Sequence, residues 1–361
     1  MPHRCHVCSI VPPYMLRKLA DHAEHRHQAL RAIEISERMR GARQNTLAMP
    51  LLSAPGVKHR RVYDARHLTT LPGANVRDEG AAASADVAVN EAYDYSGDTY
   101  DFYRQVLSRN SVDDHGVALK STVHFDEGYD NAFWNGAQMV YGDGDGQIFE
   151  RFTACLDVVG HELTHGVTQN TAKLVYQDQP GALNESMSDV FGSLVKQWSL
   201  NQTADRADWL IGAGLFTKTV HGTALRSMKA PGTAYDDPII GKDPQPADMA
   251  RYVETSDDAG GVHINSGIPN RAFCVAALNI GGPAWQKAGL IWYRALVGAL
   301  GRSSDFQTAA DATTSIAGVM FGDTSVERKA VADAWTTVGL KPQRLTLTSF
   351  TVPGKIATRL T

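Results

Sequence analysis

Apolar positions along the chain change period twice, and the changes divide it. From Tyr14 to Gly41, Leu16, Leu19, Ala23, His27, Leu30, Ile33 and Met39 recur at helical spacing with Arg and Glu between them. That pattern predicts one amphipathic helix following a proline-stiffened, extended Ser9–Pro13. Residues 44–58 hold Asn45, Pro50, Ser53, Pro55 and Gly56 without periodicity and predict a linker. From Arg61 onward, short runs at 61–64, 116–125 and 137–142 predict strands. Between them, 86–107 predicts a helix with Val87, Ala88, Glu91, Tyr95 and Phe102 on one face. The strand-rich half closes at Gly142-Asp143-Gly144-Asp145-Gly146, expected as a hairpin turn rather than a calcium loop. Beyond Phe152 the helical period dominates, over 152–171, 182–199, 266–280, 283–299, 305–321 and 325–337. Residues 342–361 are Thr-rich with a weak strand pattern and suggest no role.

Composition narrows the function. The 361 residues are 43% apolar, enough for two ordinary cores. The net charge of -4 is dispersed, without the basic block or stripe of a nucleic-acid binder. Mean hydropathy is -0.26 and no eighteen-residue apolar run exists, so no membrane span is expected. Ile10–Leu16 is too short and too proline-rich for a secretory signal, so a cytoplasmic, unprocessed chain without that signal is expected, with secretion by another route or of a processed form as the alternative. Four cysteines are too few for a disulfide scaffold, and Cys155 and Cys274 lie in apolar helical contexts as expected buried thiols.

The chemistry concentrates in His161-Glu162-Leu163-Thr164-His165 and Asn184-Glu185-Ser186-Met187-Ser188-Asp189. Residues i and i+4 share a helix face, so His161 and His165 can reach one ion. Glu185 can complete the shell, and Asp189, one turn later, can accept the second N–H of a liganding imidazole. Two imidazoles and a carboxylate leave a tetrahedral zinc one open position, the catalytic arrangement. Glu162 is placed to deprotonate a zinc-bound water and pass the proton to a leaving amine. His263, with Asp257-Asp258 upstream, is a candidate donor to the oxyanion.

These segments, with Asn131-Ala132-Phe133-Trp134, Leu225-Arg226-Ser227-Met228 and Gly260–Gly267, resemble the thermolysin family of zinc metallopeptidases over residues 60–341. Within it the chain is similar to the protealysin-like branch with short propeptides. The resemblance implies an α+β fold: propeptide 1–53, strand-rich catalytic domain 54–168 ending in the zinc helix, helical domain 169–341, tail 342–361, and the cleft between the two large domains. It implies His161, His165 and Glu185 as ligands of one Zn2+, Glu162 as base, Tyr176 and His263 as oxyanion donors and Asp258 as partner of that histidine. Asn131, Ala132 and Arg226 would bind the substrate backbone, with Trp134 on the edge strand. Phe149, Phe152, Val158 and Leu225 would wall an apolar pocket, favouring cleavage on the amine side of bulky apolar residues.

Two departures from the family matter. Lys196 stands where an acidic ligand of a double calcium site would sit, so that site is expected to be absent; Ala154-Cys155 replaces a glycine pair at the start of the zinc helix. Cys5-His6-Val7-Cys8 precedes Ile10–Leu16, which resembles the precursor motif of the branch, so Cys8, or else Cys5, is expected to occupy the open zinc position and hold the precursor latent. Activation would require cutting in 44–58, by the enzyme itself at Leu52 or Val57. Expected partners are protein or peptide substrates, the chain's own propeptide and a proteinaceous inhibitor. A rival expectation is an inactive zinc scaffold, against which Glu162 speaks, because a structural site needs no base.

Overall fold

The computed structural model describes residues 8–43 and 57–343, without the side chains of Cys8 and 40–43. The first element is a two-residue strand, Cys8–Ser9 (β1), followed by helices Pro13–Ala20 (α1) and Arg26–Arg43 (α2). One helix over 14–41 was expected, and the chain instead turns at residues 21–25. Arg26 caps the break by donating to the carbonyls of Ala20 and Asp21, at 3.0 and 3.4 Å. The turn buries His25, 3.7 Å from Asp145, and resets the helical phase. Ala29, Ala32 and Ile35 therefore face inward, while Ala23, His27 and Leu30 are exposed.

Arg60–Asp64 (β2) and Ala74–Asp78 (β3) form an antiparallel pair. β3 escapes sequence reasoning because its residues are mostly polar and exposed on an edge. Val87–Gln105 (α3) starts where Asp86 accepts the N–H groups of Ala88 and Val89, which leaves the expected face residue Val87 exposed. Leu119–Val123 (β4), Ala132–Trp134 (β5) and Met139–Tyr141 (β6) complete a six-stranded sheet in the order β1-β5-β6-β4-β2-β3. β4 runs parallel to both β2 and β6; β5 is antiparallel to β6 and to β1. The N-terminal segment thus supplies the edge strand of the catalytic sheet.

After a 3-10 turn at Phe152–Ala154, Leu156–Gln169 (α4) and Asp178–Ser199 (α5) pack together in the middle of the molecule. Both are mostly buried, but the first turn of α5, Asp178-Gln179-Pro180-Gly181, offers no apolar period, so the helix starts four residues before the expected 182. Gly160 and Gly192 face one another, and a Cβ on Gly192 would collide with the Asp157 carbonyl. This close approach sets the opposing faces of α4 and α5 side by side.

Residues 210–242 are irregular, with two short antiparallel ribbons, Leu210–Ile211 (β7) with Arg226–Ser227 (β8) and Asp236–Asp237 (β9) with Gly241–Lys242 (β10). Asp258–Asn265 (α6) is a short helical segment interrupted by positive φ at Ala259, Gly260 and Gly261. Gly267–Ile280 (α7), Ala288–Gly298 (α8), Phe306–Phe321 (α9) and Val326–Thr337 (α10) build the helical half around Trp209, Phe273, Trp292 and Trp335. Asp305 and Ser325 cap α9 and α10 at the starts the sequence indicated. Among the described residues, no helix is long and apolar enough to cross a membrane.

Candidate metallopeptidase active site

α4 presents His161 and His165 on one face, and α5 presents Glu185 and Asp189 opposite. The Nε2 atoms of the two imidazoles lie 3.0 Å apart, and each is 3.5 Å from a Glu185 oxygen. The other ring nitrogens fix the tautomers. His161 Nδ1 is 2.8 Å from Asp189 Oδ1, which only accepts, so Nδ1 carries the proton. His165 Nδ1 lies 2.9 Å from Asn184 Oδ1 and 3.1 Å from Ser188 Oγ, and it donates to the amide oxygen. Both Nε2 lone pairs therefore converge on a carboxylate, and among the described residues Glu185 Oε2 is a buried acceptor without a hydrogen-bond partner. Three acceptors facing one point need a cation. Zinc bonds of about 2.0–2.2 Å in a tetrahedral shell place ligand atoms about 3.3 Å apart, which suits this set. Burial alone would lower the His161 imidazole, but Asp189 and Glu185 override it and raise it to about 9, toward holding the proton that an ion would replace. Burial raises Glu185, and His263, His165 and His161 outweigh it, so this carboxylate stays ionised well below its ordinary range.

Asp189 is the hub of the outer layer. Arg226 grips it with two 2.8 Å bonds, and Asn270 donates to it at 2.8 Å. Burial opposes its ionisation, but Arg226 and His161 bring its pKa down to about 2. Sequence reasoning missed Asn270, Asn184 and Ser188. The last two were legible in principle, because positions 184 and 188 share a face of α5 beside Glu185; Asn270, on α7, carried no local signal.

Glu162 is fully buried. Its Oε2 accepts the Trp134 backbone N–H at 2.9 Å and its Oε1 has no partner among the described residues. Burial drives its pKa well above the ordinary carboxylate value, making it a stronger base. His263 Nδ1 donates to Asp258 Oδ1 at 2.6 Å, and the His263 backbone N–H donates to Asp258 Oδ2 at 2.8 Å. Tyr176 donates its hydroxyl proton to Glu185 and lies 3.2 Å from His263 Nε2. Burial lowers the His263 pKa, but Asp258 and Glu185 raise it overall.

The N-terminal strand runs through this cleft. His263 Nε2 donates to the Ser9 carbonyl at 2.9 Å. Ile10 donates its N–H to the Ala132 carbonyl at 3.1 Å and accepts from Arg226 at 3.0 Å. Asn131 holds both polar groups of Val11, at 2.9 and 3.2 Å. Cys8 pairs in register with Trp134, whose indole donates to Gln169. Cys5 and the Cys8 side chain lie outside the described residues. Phe149, Phe152, Val158 and Leu225 are buried in one apolar cluster, with Phe149 and Phe152 rings 5.6 Å apart. At the expected calcium position, the Lys196 ammonium lies 3.1 Å from Asp157 and 2.9 Å from Asp208.

A mixed sheet on a helical half, with a His-Glu-x-x-His helix facing a carboxylate as third ligand, defines a metallopeptidase. Comparison with known proteins makes the family specific. The thermolysin metallopeptidase catalytic domain matches residues 51–169, and the alpha-helical domain of the same family matches residues 172–340. The chain belongs to the thermolysin family of metallopeptidases. It is 49% identical over 344 residues to an extracellular metalloprotease of Pectobacterium carotovorum subsp. carotovorum, covering 93% of this chain and 97% of that relative. It is 44% identical over 288 residues to a thermolysin of Bacillus sp. (strain EA1), covering 77% of this chain and 50% of the relative. Its fold matches the precursor of protealysin, a metalloproteinase from Serratia proteamaculans, with TM-score 0.85 and 54% identity over 92% of this chain and 99% of that one. Like that neighbour, the chain is a precursor form in the short-propeptide branch.

Proposed function

We propose that this chain is a latent zinc endopeptidase that cuts on the amine side of bulky apolar residues, with residues 1–53 as propeptide, 54–168 and 169–341 as the catalytic domains and 342–361 as a tail. The supporting observation is the course of Ser9-Ile10-Val11, an extended peptide added antiparallel to β5 with its main chain bonded to Asn131, Ala132, Arg226 and His263. Strand addition of this kind supplies affinity from the main chain and leaves selectivity to side-chain pockets. In this register the Ser9–Ile10 bond occupies the place of a scissile bond, and Ile10 the place of the residue after it. Phe149, Phe152, Val158 and Leu225 are the proposed walls of the pocket for that residue.

Zinc held by His161, His165 and Glu185 would supply Lewis acidity, polarising a substrate carbonyl and acidifying water. Glu162 takes the proton of the attacking water and returns it to the leaving amine, a task for which its Oε1, without a partner among the described residues, is placed. His263, kept protonated by Asp258, and Tyr176 donate to the oxygen on which negative charge develops. Asp189 and Asn184 hold the two imidazoles in the ligating tautomer.

Two elements of latency are proposed. The first is occupation of the cleft by residues 9–11; the second is a thiolate from Cys8, or else Cys5, at the open zinc position. Replacing both cysteines by Ser separates them, because unchanged precursor activity would reject the thiol. Activation is proposed to proceed by self-cleavage in 44–58, at Leu52 or Val57. Lys196 is proposed to replace calcium charge beside Asp157. The extracellular relative supports secretion of the mature enzyme; a cytoplasmic precursor is the other location. A proteinaceous inhibitor is a proposed further partner. Incubating purified precursor with and without a chelator, sequencing the new N-terminus and assaying casein against tripeptides tests the whole reading. A new N-terminus within 44–58 that appears despite the chelator would reject self-activation, and cleavage confined to tripeptides would reject an endopeptidase.

A further inference from the structure

Three neighbouring parallel strands, β6, β4 and β2, end on the same edge of the sheet. The segments leaving them bring Asp143, His124 and His67 together, two, one and three residues beyond the strand ends at Tyr141, Val123 and Asp64. The carboxyl edge of parallel strands is a recurrent place for ligands, because loops from several strands converge there. None of these residues takes part in the peptidase chemistry above.

We propose that His67, His124 and Asp143 form a second divalent-metal site, of the zinc type, distinct from the His161–His165–Glu185 centre. His124 Nδ1 lies 2.9 Å from Asp143 Oδ2, and His67 Nδ1 lies 3.6 Å from the same oxygen. The three ligand atoms all fall within 4.8 Å of one another. These separations bracket the about 3.3 Å between donors of a tetrahedral zinc shell. The outer layer is also present. His124 Nε2 lies 2.7 Å from Asp86 Oδ2, so a neutral imidazole donates there and turns its Nδ1 lone pair toward the shared point. Asp86 is itself immobilised, because its Oδ1 caps α3 through Ala88 and Val89.

The backbone is held in an unusual shape to achieve this. His67 and His124 both have left-handed φ, 58° and 52°, and the His67 N–H donates to the His124 carbonyl at 2.8 Å. Such conformations cost free energy in residues with a Cβ and concentrate at ligand clamps. Imidazole with carboxylate suits zinc and its neighbours in the transition series better than calcium or magnesium. His67 is half exposed, so water can complete the shell. An ion here would tie the ends of three strands to the turn whose Gly142 and Gly144 bond the carbonyls of Asn131 and Tyr129 beside the cleft. The competing state is a protonated His124 clamped between Asp86 and Asp143 without any ion; metal binding expels that Nδ1 proton to solvent.

The test is zinc titration of the full-length precursor already loaded at its catalytic centre, by calorimetry and by metal analysis after gel filtration. A Cys5→Ser/Cys8→Ser background removes thiols as alternative ligands. The expected result is one further zinc in this parent, bound about tenfold or more weakly in His67→Asn and Asp143→Asn. Asn tolerates the left-handed backbone and His67 is exposed, so His67→Asn should fold and keep its peptidase activity. Equal zinc content in parent and His67→Asn, whether one ion or two, would overturn the site and leave His124 as a plain ion bridge.

Discussion

In Lys196→Met the Asp157 carboxylate loses the ammonium 3.1 Å away yet stays buried, its side chain 2% exposed. Among the described residues one partner remains, the Gly212 N–H at 3.3 Å. Removing one member of a buried ion pair costs about 3–5 kcal/mol. Lys196 is 18% exposed and the Gly212 bond survives, so the low end applies, about 3 kcal/mol. Domains of this size shift by about 2–4 °C per kcal/mol, so the variant should melt about 6–12 °C below the parent. The sign with pH follows from Asp157. Burial already raises its pKa and Lys196 partly opposes this, so losing Lys196 raises it further. A carboxyl whose folded pKa exceeds its unfolded value gains a proton on folding. The deficit is therefore full above the folded pKa and shrinks as pH falls through it toward the unfolded value. Melting curves at pH 8 and pH 5 measure this, and Asp157→Asn in the Lys196→Met background should recover most of the loss at pH 8. A Lys196→Met protein that melts with the parent at pH 8 would refute the argument. Calcium that raises the parent's melting temperature would refute the claim that an ammonium has replaced the calcium site.

Glu162→Gln should lower kcat by about 10²–10⁴ with zinc content unchanged, measured by peptide hydrolysis and metal analysis; surviving activity would move the base elsewhere. Asn131→Ala removes two hydrogen bonds to Val11 worth about 1 kcal/mol each, so a separate propeptide should inhibit the mature enzyme about thirtyfold more weakly, and KM for peptide substrates should rise because the same side chain would hold their backbone. Burial raises the thiol pKa of Cys274 to about 12 and that of Cys155 higher still. Neither should be alkylated in native protein at pH 8, and both should react after unfolding, as peptide mapping by mass would show.

Much of the site is legible as text because its parts are local. His161 and His165, and Glu185 and Asp189, are each one helical turn apart, and that spacing alone turns the members of a pair to one face. The helical half was likewise marked by period, which put the starts of α9 and α10 at residues 305 and 325, where Asp305 and Ser325 cap them. Its limits show where signals were weak or misleading. The first turn of α5, Asp178-Gln179-Pro180-Gly181, is polar or helix-breaking in composition, so its start at Asp178 was blurred. The polar edge strand β3 has no apolar alternation. The break at residues 21–25 depends on where His25 finds room against Asp145.

What the amino-acid order determined by itself was which residue types recur at which spacing, and hence two helices each bearing half of a metal site and a general base beside one of them. Only the tertiary structure decided how those halves meet. Gly160 and Gly192 let α4 and α5 approach until three acceptors face one point. Asn270 reaches Asp189 from 81 residues away, and Arg226 joins that carboxylate to the Ile10 carbonyl across 216 residues. The convergence of His67 and His124 with Asp143 likewise follows from strand order in the sheet. Contacts between residues far apart in sequence are chosen by packing of whole elements, and no local period records them.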